Sequence, residues 1–308
     1  MTPIARELLA PSLDSFGRSI TLPAAAYTDE SVFRWEQERF FDESWVCVGR
    51  ANGSNPGDRR FVEWHGWVFA NVGGGAPSFE SHTGNLEELI RNYGCEDLVV
   101  GASHDYEIAA NWKILAENYH ECYHCSSIHP ELCEVSPPTS GGDNLEPEGA
   151  WIGGPMDLFE GVETMSLDGK SYAPMLPSLA EGQNRTVHYF QLFPNLLISP
   201  HPDYVMTHRL VPLAPNRTYV ECEWLFSREA VEHDGFDPSY ASDFWDITNR
   251  QDWRACESVQ RGASSRGYRC GPLSPREDAV YQLITMVANG YLEGKVARPA
   301  SRTPEAAV

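Results

Sequence analysis

His124 and His129 stand at H-x4-H spacing in Glu121-Cys122-Tyr123-His124-Cys125-Ser126-Ser127-Ile128-His129-Pro130, and this spacing restricts the local backbone more than any other feature of the chain. On a continuous α-helix five steps advance about 140° past a full turn, so the two imidazoles would point apart. They converge only where the helix breaks between them. The sequence supplies a break: Ser126 and Ser127 are weak helix formers, and Pro130 disfavours helical geometry at His129. Glu121 lies one turn before His124, as a third ligand or as the carboxylate that receives the imidazole N–H. Two imidazoles and one carboxylate can hold one face of an Fe(II) ion and leave the other open for oxygen. A helix near the C-terminus offers Asp243, Asp246, Asp252 and Glu257 as a distant carboxylate, and spacing alone does not choose among them.

The same stretch carries rival chemistry. Cys122, Cys125, His129 and Cys133 fit C-x2-C-x3-H-x3-C, a spacing for structural zinc. On one helix these positions form a stripe, which cannot wrap a tetrahedron around an ion; the break relaxes this objection without removing it. Cys122-x-x-Cys125 is also a redox spacing, but no thioredoxin-like βαβ pattern surrounds it. The eight cysteines are scattered through a large chain, which reads as reduced thiols in a cytoplasm.

At 308 residues, 42% hydrophobic and 22% charged, the chain is long enough for a large core and more than one structural unit. A net charge of −21 argues against nucleic acid and anionic membrane surfaces as partners. No apolar run is long enough to cross a bilayer, and Met1–Ser15 lacks the apolar core of a signal peptide.

Residues 1–27 read as an irregular arm. Thr28 is a candidate cap for a helix through Phe41, Trp45–Val48 reads as a short buried strand, Asn52–Asp58 as turns, and Phe61–Val72 as a strand ended by three glycines. A short helix is expected over Asn85–Tyr93, a strand over His104–Ala110, and a helix from Asn111 on which Trp112, Leu115, Tyr119 and Cys122 share a face. Pro137–Gly149 reads as a loop. Strands are expected at Arg185–Ser199, Tyr204–Leu213 and Thr218–Ser227, and helices over Pro238–Gly262 and from the Ser274-Pro275-Arg276-Glu277 capping box to about Glu293. Strands and helices do not alternate strictly, so the fold class is α+β with a mainly antiparallel sheet. The tail after Val296 reads as disordered.

Asn111-Trp112-Lys113, Glu117-Asn118-Tyr119, Glu121-Cys122-Tyr123-His124 and His129-Pro130, with Asn249-Arg250-Gln251-Asp252 through Gln260-Arg261-Gly262, resemble the catalytic-domain signature of Rieske-type non-haem iron oxygenase α subunits. The resemblance runs from about Phe61 to Leu292. It implies a helix-grip-like catalytic domain in which His124, His129 and Asp252 bind a mononuclear Fe(2+). It also implies that Glu121 is the acidic residue bridging that iron to a neighbouring subunit's cluster, with Glu117 and Asn118 lining the same region. The Glu-Cys-Tyr-His variant looks most like the branch that demethylates or hydroxylates quaternary ammonium compounds. The partners it implies are a small organic substrate, O2, an NAD(P)H-dependent reductase, and other subunits in a homotrimer or in a mixed oligomer with a full-length relative.

One departure is large. The family carries a Rieske 2Fe–2S cluster on C-x-H and C-x2-H pairs. Here the only C-x-H is Cys122-Tyr123-His124, and no C-x2-H exists. Residues 1–72 therefore read as an arm and a remnant of the Rieske domain, as though its body were excised near Arg59-Arg60, and residues 73–308 as the catalytic domain. The cluster is expected to be absent. Three functions stay open: a catalytic subunit fed by a partner's cluster, a non-catalytic accessory subunit, or an internally deleted inactive form; ring cis-dihydroxylation is the alternative reaction. Trp151, Phe159, Tyr189, Phe190, Tyr204, Trp224 and Phe226 are the candidate pocket aromatics, each more readily a core residue.

Overall fold

The computed structural model describes residues 2–51, 60–141 and 144–301. Among the described residues nine strands form two antiparallel sheets. The smaller contains β1 (Val46–Arg50), β2 (Phe61–Trp64) and β3 (Trp67–Ala70) in the order β1-β3-β2. The larger contains β4 (Leu98–Ile108), β5 (Trp151–Asp157), β6 (Thr186–Leu192), β7 (Leu196–Pro200), β8 (Val205–Ala214) and β9 (Arg217–Ser227) in the order β4-β9-β8-β7-β6-β5. The principal helices are α1 (Glu30–Glu36), α2 (Trp112–Tyr119), α3 (Cys125–Ile128), α4 (Pro130–Val135), α5 (Ser239–Ala263) and α6 (Asp278–Glu293). The α+β, antiparallel expectation is borne out.

Side-chain alternation gives the large sheet two buried faces. Leu197, Met206, Trp224 and Phe226 join the core built with α2, α5 and α6. Their strand neighbours Leu196, Ile198, Val205 and Leu225 join a second core, which Trp45, Trp64, Trp67 and Phe69 of the small-sheet region complete. The two sheets thus share one apolar layer. At the N-terminal side a charge pair is buried: Lys113 Nζ lies 2.7 and 2.9 Å from the two Glu36 oxygens, and both side chains are wholly buried. Trp112 Nε1 and the Tyr291 hydroxyl also donate to Glu36, so the carboxylate is well supplied with donors and ties α1, α2 and α6 together.

Several boundaries differ from the sequence reading. The first long helix is capped by Asp29, whose carboxylate accepts from the Ser31 and Val32 N–H groups, and not by Thr28, whose hydroxyl donates to Ala24 O. Phe61–Val72 is a hairpin, turned at His65-Gly66 with φ of 46° and 82°. Arg185–Ser199 is two strands, separated by a turn through the cis Phe193–Pro194 bond. Strand β4 begins six residues earlier than the expected His104, and β5 had no counterpart in the sequence reading. In place of the expected irregular arm, residues 2–28 hold two short helices and a 3-10 turn, with Ile4, Leu9 and Leu22 buried. Beyond Val296, Ala297 is buried and the Ala300 N–H donates to Thr285 Oγ1, so these residues pack; the remaining tail from 302 lies outside the described residues. The Asn52–Asp58 turns and the Asp58-Arg59 junction also lie outside them. Among the described residues no helix is long and apolar enough to cross a membrane.

Candidate metal centre

Asn111 starts the approach to the site. Its side chain caps α2 by accepting from the Lys113 N–H. The helix stops at Tyr119, so Cys122 leaves the face assigned to it and falls in the connection to α3. Helix α3 then lasts four residues, because His129 adopts φ −119°, ψ 70° ahead of Pro130, which opens α4. The break brings the imidazoles together: His124 Nε2 and His129 Nε2 are 3.2 Å apart. From α5, Asp252 Oδ1 lies 2.9 Å from His129 Nε2 and 3.2 Å from His124 Nε2.

The other ring nitrogens are held from behind. His124 Nδ1–H donates to Glu121 Oε1, and His129 Nδ1–H donates to Gln251 Oε1 at 2.7 Å. Gln251 is held in turn by Glu131 at 2.9 Å. Both Nε2 atoms are thereby turned toward one point. Glu121 also accepts from the Tyr123 and His124 backbone N–H groups, so it stands behind the triangle. Asn118 Nδ2 donates to Asp252 Oδ1 at 2.9 Å, and its Oδ1 accepts from the Cys256 thiol, which fixes the amide. Burial acts to lower the His124 pKa, but hydrogen bonds and charge from Asp252 and Glu121 outweigh it and raise the pKa to about 10. Burial acts to raise the Asp252 pKa, and the two histidines overcome it and bring it below the usual carboxylate range. Glu117, expected to line this region, instead accepts from the Tyr27 hydroxyl at 2.7 Å.

The donor set fits a metal ion. Three donors each about 2.1 Å from one ion at right angles lie about 3 Å apart, and the observed edges are 2.9, 3.2 and 3.2 Å. His124, Cys125 and His129 form another group, with ligand atoms within 4.8 Å of one another. That group is looser, and Cys125 is disulfide-bonded to Cys122 and offers no thiolate. The bridge corrects the reading of all thiols as reduced. It also removes two thiolates from the candidate zinc set, whose fourth member, Cys133, makes only a weak contact to Cys125 O.

Asp252 is separated from its rivals by the face it occupies. Trp245, Asn249, Asp252 and Cys256 follow 3- and 4-residue steps along the inner face of α5. Asp246 instead binds Arg250 and the Tyr106 hydroxyl, Glu257 accepts from the Ala109 N–H, and Asp243 is exposed. The triangle opens on a cavity whose empty space, open solvent at the mouth included, is about 850 Å³. Of the seven aromatics considered, Tyr189 lines it; Phe190, one strand position away, points to the other core. Tyr119, Trp245 and Trp253 were missed, although the helical spacing of Trp245 with Asp252 carried a signal.

The catalytic-domain profile of the ring hydroxylating alpha subunits matches residues 95–293. The glycine betaine monooxygenase oxygenase subunit of Chromohalobacter salexigens is 27% identical over 240 residues, covering 68% of this chain and 53% of the relative. The carnitine monooxygenase oxygenase subunit of Escherichia coli is 27% identical over 214 residues, with the same coverages. The chain thus spans about half the length of the curated relatives it matches. In solved structures, a quaternary ammonium Rieske monooxygenase superposes with a TM-score of 0.72 at 17% identity, over 95% of this chain and 99% of that one. Naphthalene 1,2-dioxygenase of Rhodococcus sp. superposes at 0.62 and 14%, over 89% and 94%. With its matched domain covering more than half of its length, this chain belongs to the ring hydroxylating alpha subunit family.

Proposed function

We propose that the chain is the iron-bearing subunit of an oxygenase that hydroxylates an N-methyl group of a small quaternary ammonium compound, after which the methyl carbon leaves as formaldehyde. The observation that carries this reading is the triangle of His124 Nε2, His129 Nε2 and Asp252 Oδ1, with these residues as ligands of one Fe(II). When bound, such an ion supplies oxygen activation at its open positions. Glu121 and Gln251 orient the imidazoles by accepting their Nδ1–H protons. Asn118 holds the Asp252 carboxylate. Leu115, Leu197 and Met206 keep the cavity apolar and exclude water, and Tyr119, Tyr189, Trp245 and Trp253 offer aromatic faces to a methylated cation. Among the described lining residues none is Lys or Arg, and the Asp252 and Glu121 carboxylates stand at the same cavity. The names of the glycine betaine and carnitine relatives support the same substrate class.

Electrons come, in this reading, from a cluster on another subunit, supplied by an NAD(P)H-dependent reductase. A Rieske cluster takes two Cys and two His, and this sequence places its one C-x-H inside the metal triangle's own loop. Residues 1–72 are then a remnant domain without cluster ligands and residues 73–308 the catalytic unit. A solved relative is described as working by inter-subunit electron transfer, which supports delivery across an interface in a mixed oligomer. Metal and acid-labile sulfide analysis of the purified chain tests this. One iron and no sulfide are expected; iron and sulfide in cluster proportion would sink the electron-path reading, and failure to take up iron would sink the metal assignment. Formaldehyde should form only when a full-length relative is mixed in.

A further inference from the structure

Cys122 and Cys125 form a disulfide whose two halves stand on either side of His124 in the chain. Both residues line the metal cavity. Cys122 is half-buried beside the exposed Tyr123, whereas Cys125 is buried. Cys125 Sγ lies within 4.8 Å of a ring nitrogen of His124 and of one of His129. The sulfur thus stands beside the two imidazoles that meet Asp252. Held in the disulfide it is a poor donor, because the thiolate is the form of cysteine that binds metals.

We propose that Cys125 is a latent fourth ligand, and that two-electron reduction of the Cys122–Cys125 bridge converts the iron centre into a zinc site made of His124, His129, Asp252 and Cys125. The inference rests on the metal triangle above and adds a second state to it. A dithiol reductant, free or on a protein, supplies the electrons. Its thiolate attacks Sγ of Cys122, the more accessible half; the S–S bond breaks and its electron pair leaves on Cys125 Sγ. The reductant's second thiolate then attacks the reductant sulfur of the mixed disulfide and releases Cys122. The reductant ends as a disulfide. Of the two protons it gives up, one goes to Cys122 and the other to solvent when Cys125 binds metal.

Breaking the bridge frees rotation of the Cys125 side chain, and the sulfur then has only a short distance to close, since ligand atoms of a tetrahedral zinc site lie about 3.5 Å apart. The two states suit different metals. Two imidazoles and one carboxylate leave positions open and suit Fe(II), whereas an added thiolate closes a tetrahedron. Zinc already outranks Fe(II) for most nitrogen, oxygen and sulfur donors, and a thiolate widens that margin. Reduction therefore shifts the centre from an open iron site toward a closed zinc site with no position for oxygen.

Metal binding to the purified chain tests this without turnover. The disulfide and dithiol forms are prepared without oxygen and verified by thiol counts of six and eight. Co(II) stands in for zinc, because a thiolate ligand gives it a sulfur-to-metal charge-transfer band. The dithiol form is expected to show that band and to bind Zn(II) about ten-fold or more tighter than the disulfide form, with a smaller change for Fe(II). Cys125→Ser should lose the band and the redox dependence. Cys122→Ser should show the band with no reductant added. A disulfide that merely braces the loop would not separate these two variants, since either substitution breaks it. Cys133→Ser, which removes the thiol that contacts Cys125 O, should keep the band. No band in the dithiol form, or a band that survives Cys125→Ser, overturns the inference. Iron uptake by the disulfide form with no band on reduction sinks this inference alone; failure of every form to take up metal sinks the triangle and this inference together.

Discussion

Asp252 Oδ1 lies 2.9 Å from His129 Nε2, although 123 positions separate the two residues in the chain. The closeness of two donor atoms with lone pairs directed at one point is unfavourable unless a proton or a cation sits between them. In the protein without metal the proton is carried by the site itself, through the raised pKa of His124. Metal binding must displace it. Iron affinity should therefore fall as pH falls, with proton release accompanying uptake; titration calorimetry in buffers of different ionisation enthalpy reads the proton count, and zero release would contradict the assigned ligands.

His129→Ala and Asp252→Ala should each reduce bound iron from one per chain to a small residue, with the fold retained. Metal analysis beside a circular dichroism melt separates the two effects. Full iron in either variant would remove that residue from the ligand set.

Glu121→Gln should leave the three ligands in place but weaken the hold on His124 Nδ1–H. A loss of about 10- to 100-fold in iron affinity is the usual scale for such an orienting partner. The variant also tests whether Glu121 relays electrons. With iron saturating, an activity loss confined to mixed oligomers, and absent from a peroxide-driven reaction, assigns the relay; equal losses in both leave positioning as its whole role. His124→Ala should abolish both reactions.

Glu117 makes stability depend on pH. Burial pushes its pKa up to about 7 from an ordinary value of 4.5, against the Tyr27 hydrogen bond and the Lys113 charge. The folded protein thus binds this proton more tightly than the unfolded chain. The contribution is fully present below about pH 4.5 and is lost as pH rises through 7, a tenfold difference in proton affinity being worth about 1.4 kcal/mol. Melting temperatures of Glu117→Gln should lack this component of the slope between those limits; an unchanged slope would assign it elsewhere.

Thiol titration of the denatured, unreduced protein should find six of the eight cysteines reactive, because Cys122 and Cys125 are bridged. Eight reactive thiols would restore the reduced reading drawn from the sequence.

The sequence by itself determined the parts of this protein that depend on local chemistry. Pro130 ends one helix and opens the next at His129, Asn111 caps α2, and alternating apolar residues make β8 and β9, so the break that joins His124 to His129 was legible from the residues alone. The hairpin turn at His65-Gly66 was hidden because Phe61–Val72 is apolar on both sides of it, and β5 because its two glycines and Pro155 dilute the strand pattern. Only the tertiary structure decided which acid meets the histidines. Asp243, Asp246, Asp252 and Glu257 are alike as carboxylates on one helix; packing of the Trp245, Asn249 and Cys256 face against the sheet turns Asp252 inward and leaves the others to solvent, Arg250 and the Ala109 N–H. The same packing chose Tyr189 over Phe190 for the cavity. Pairing between distant segments follows from how whole faces are buried, which no spacing within one segment encodes.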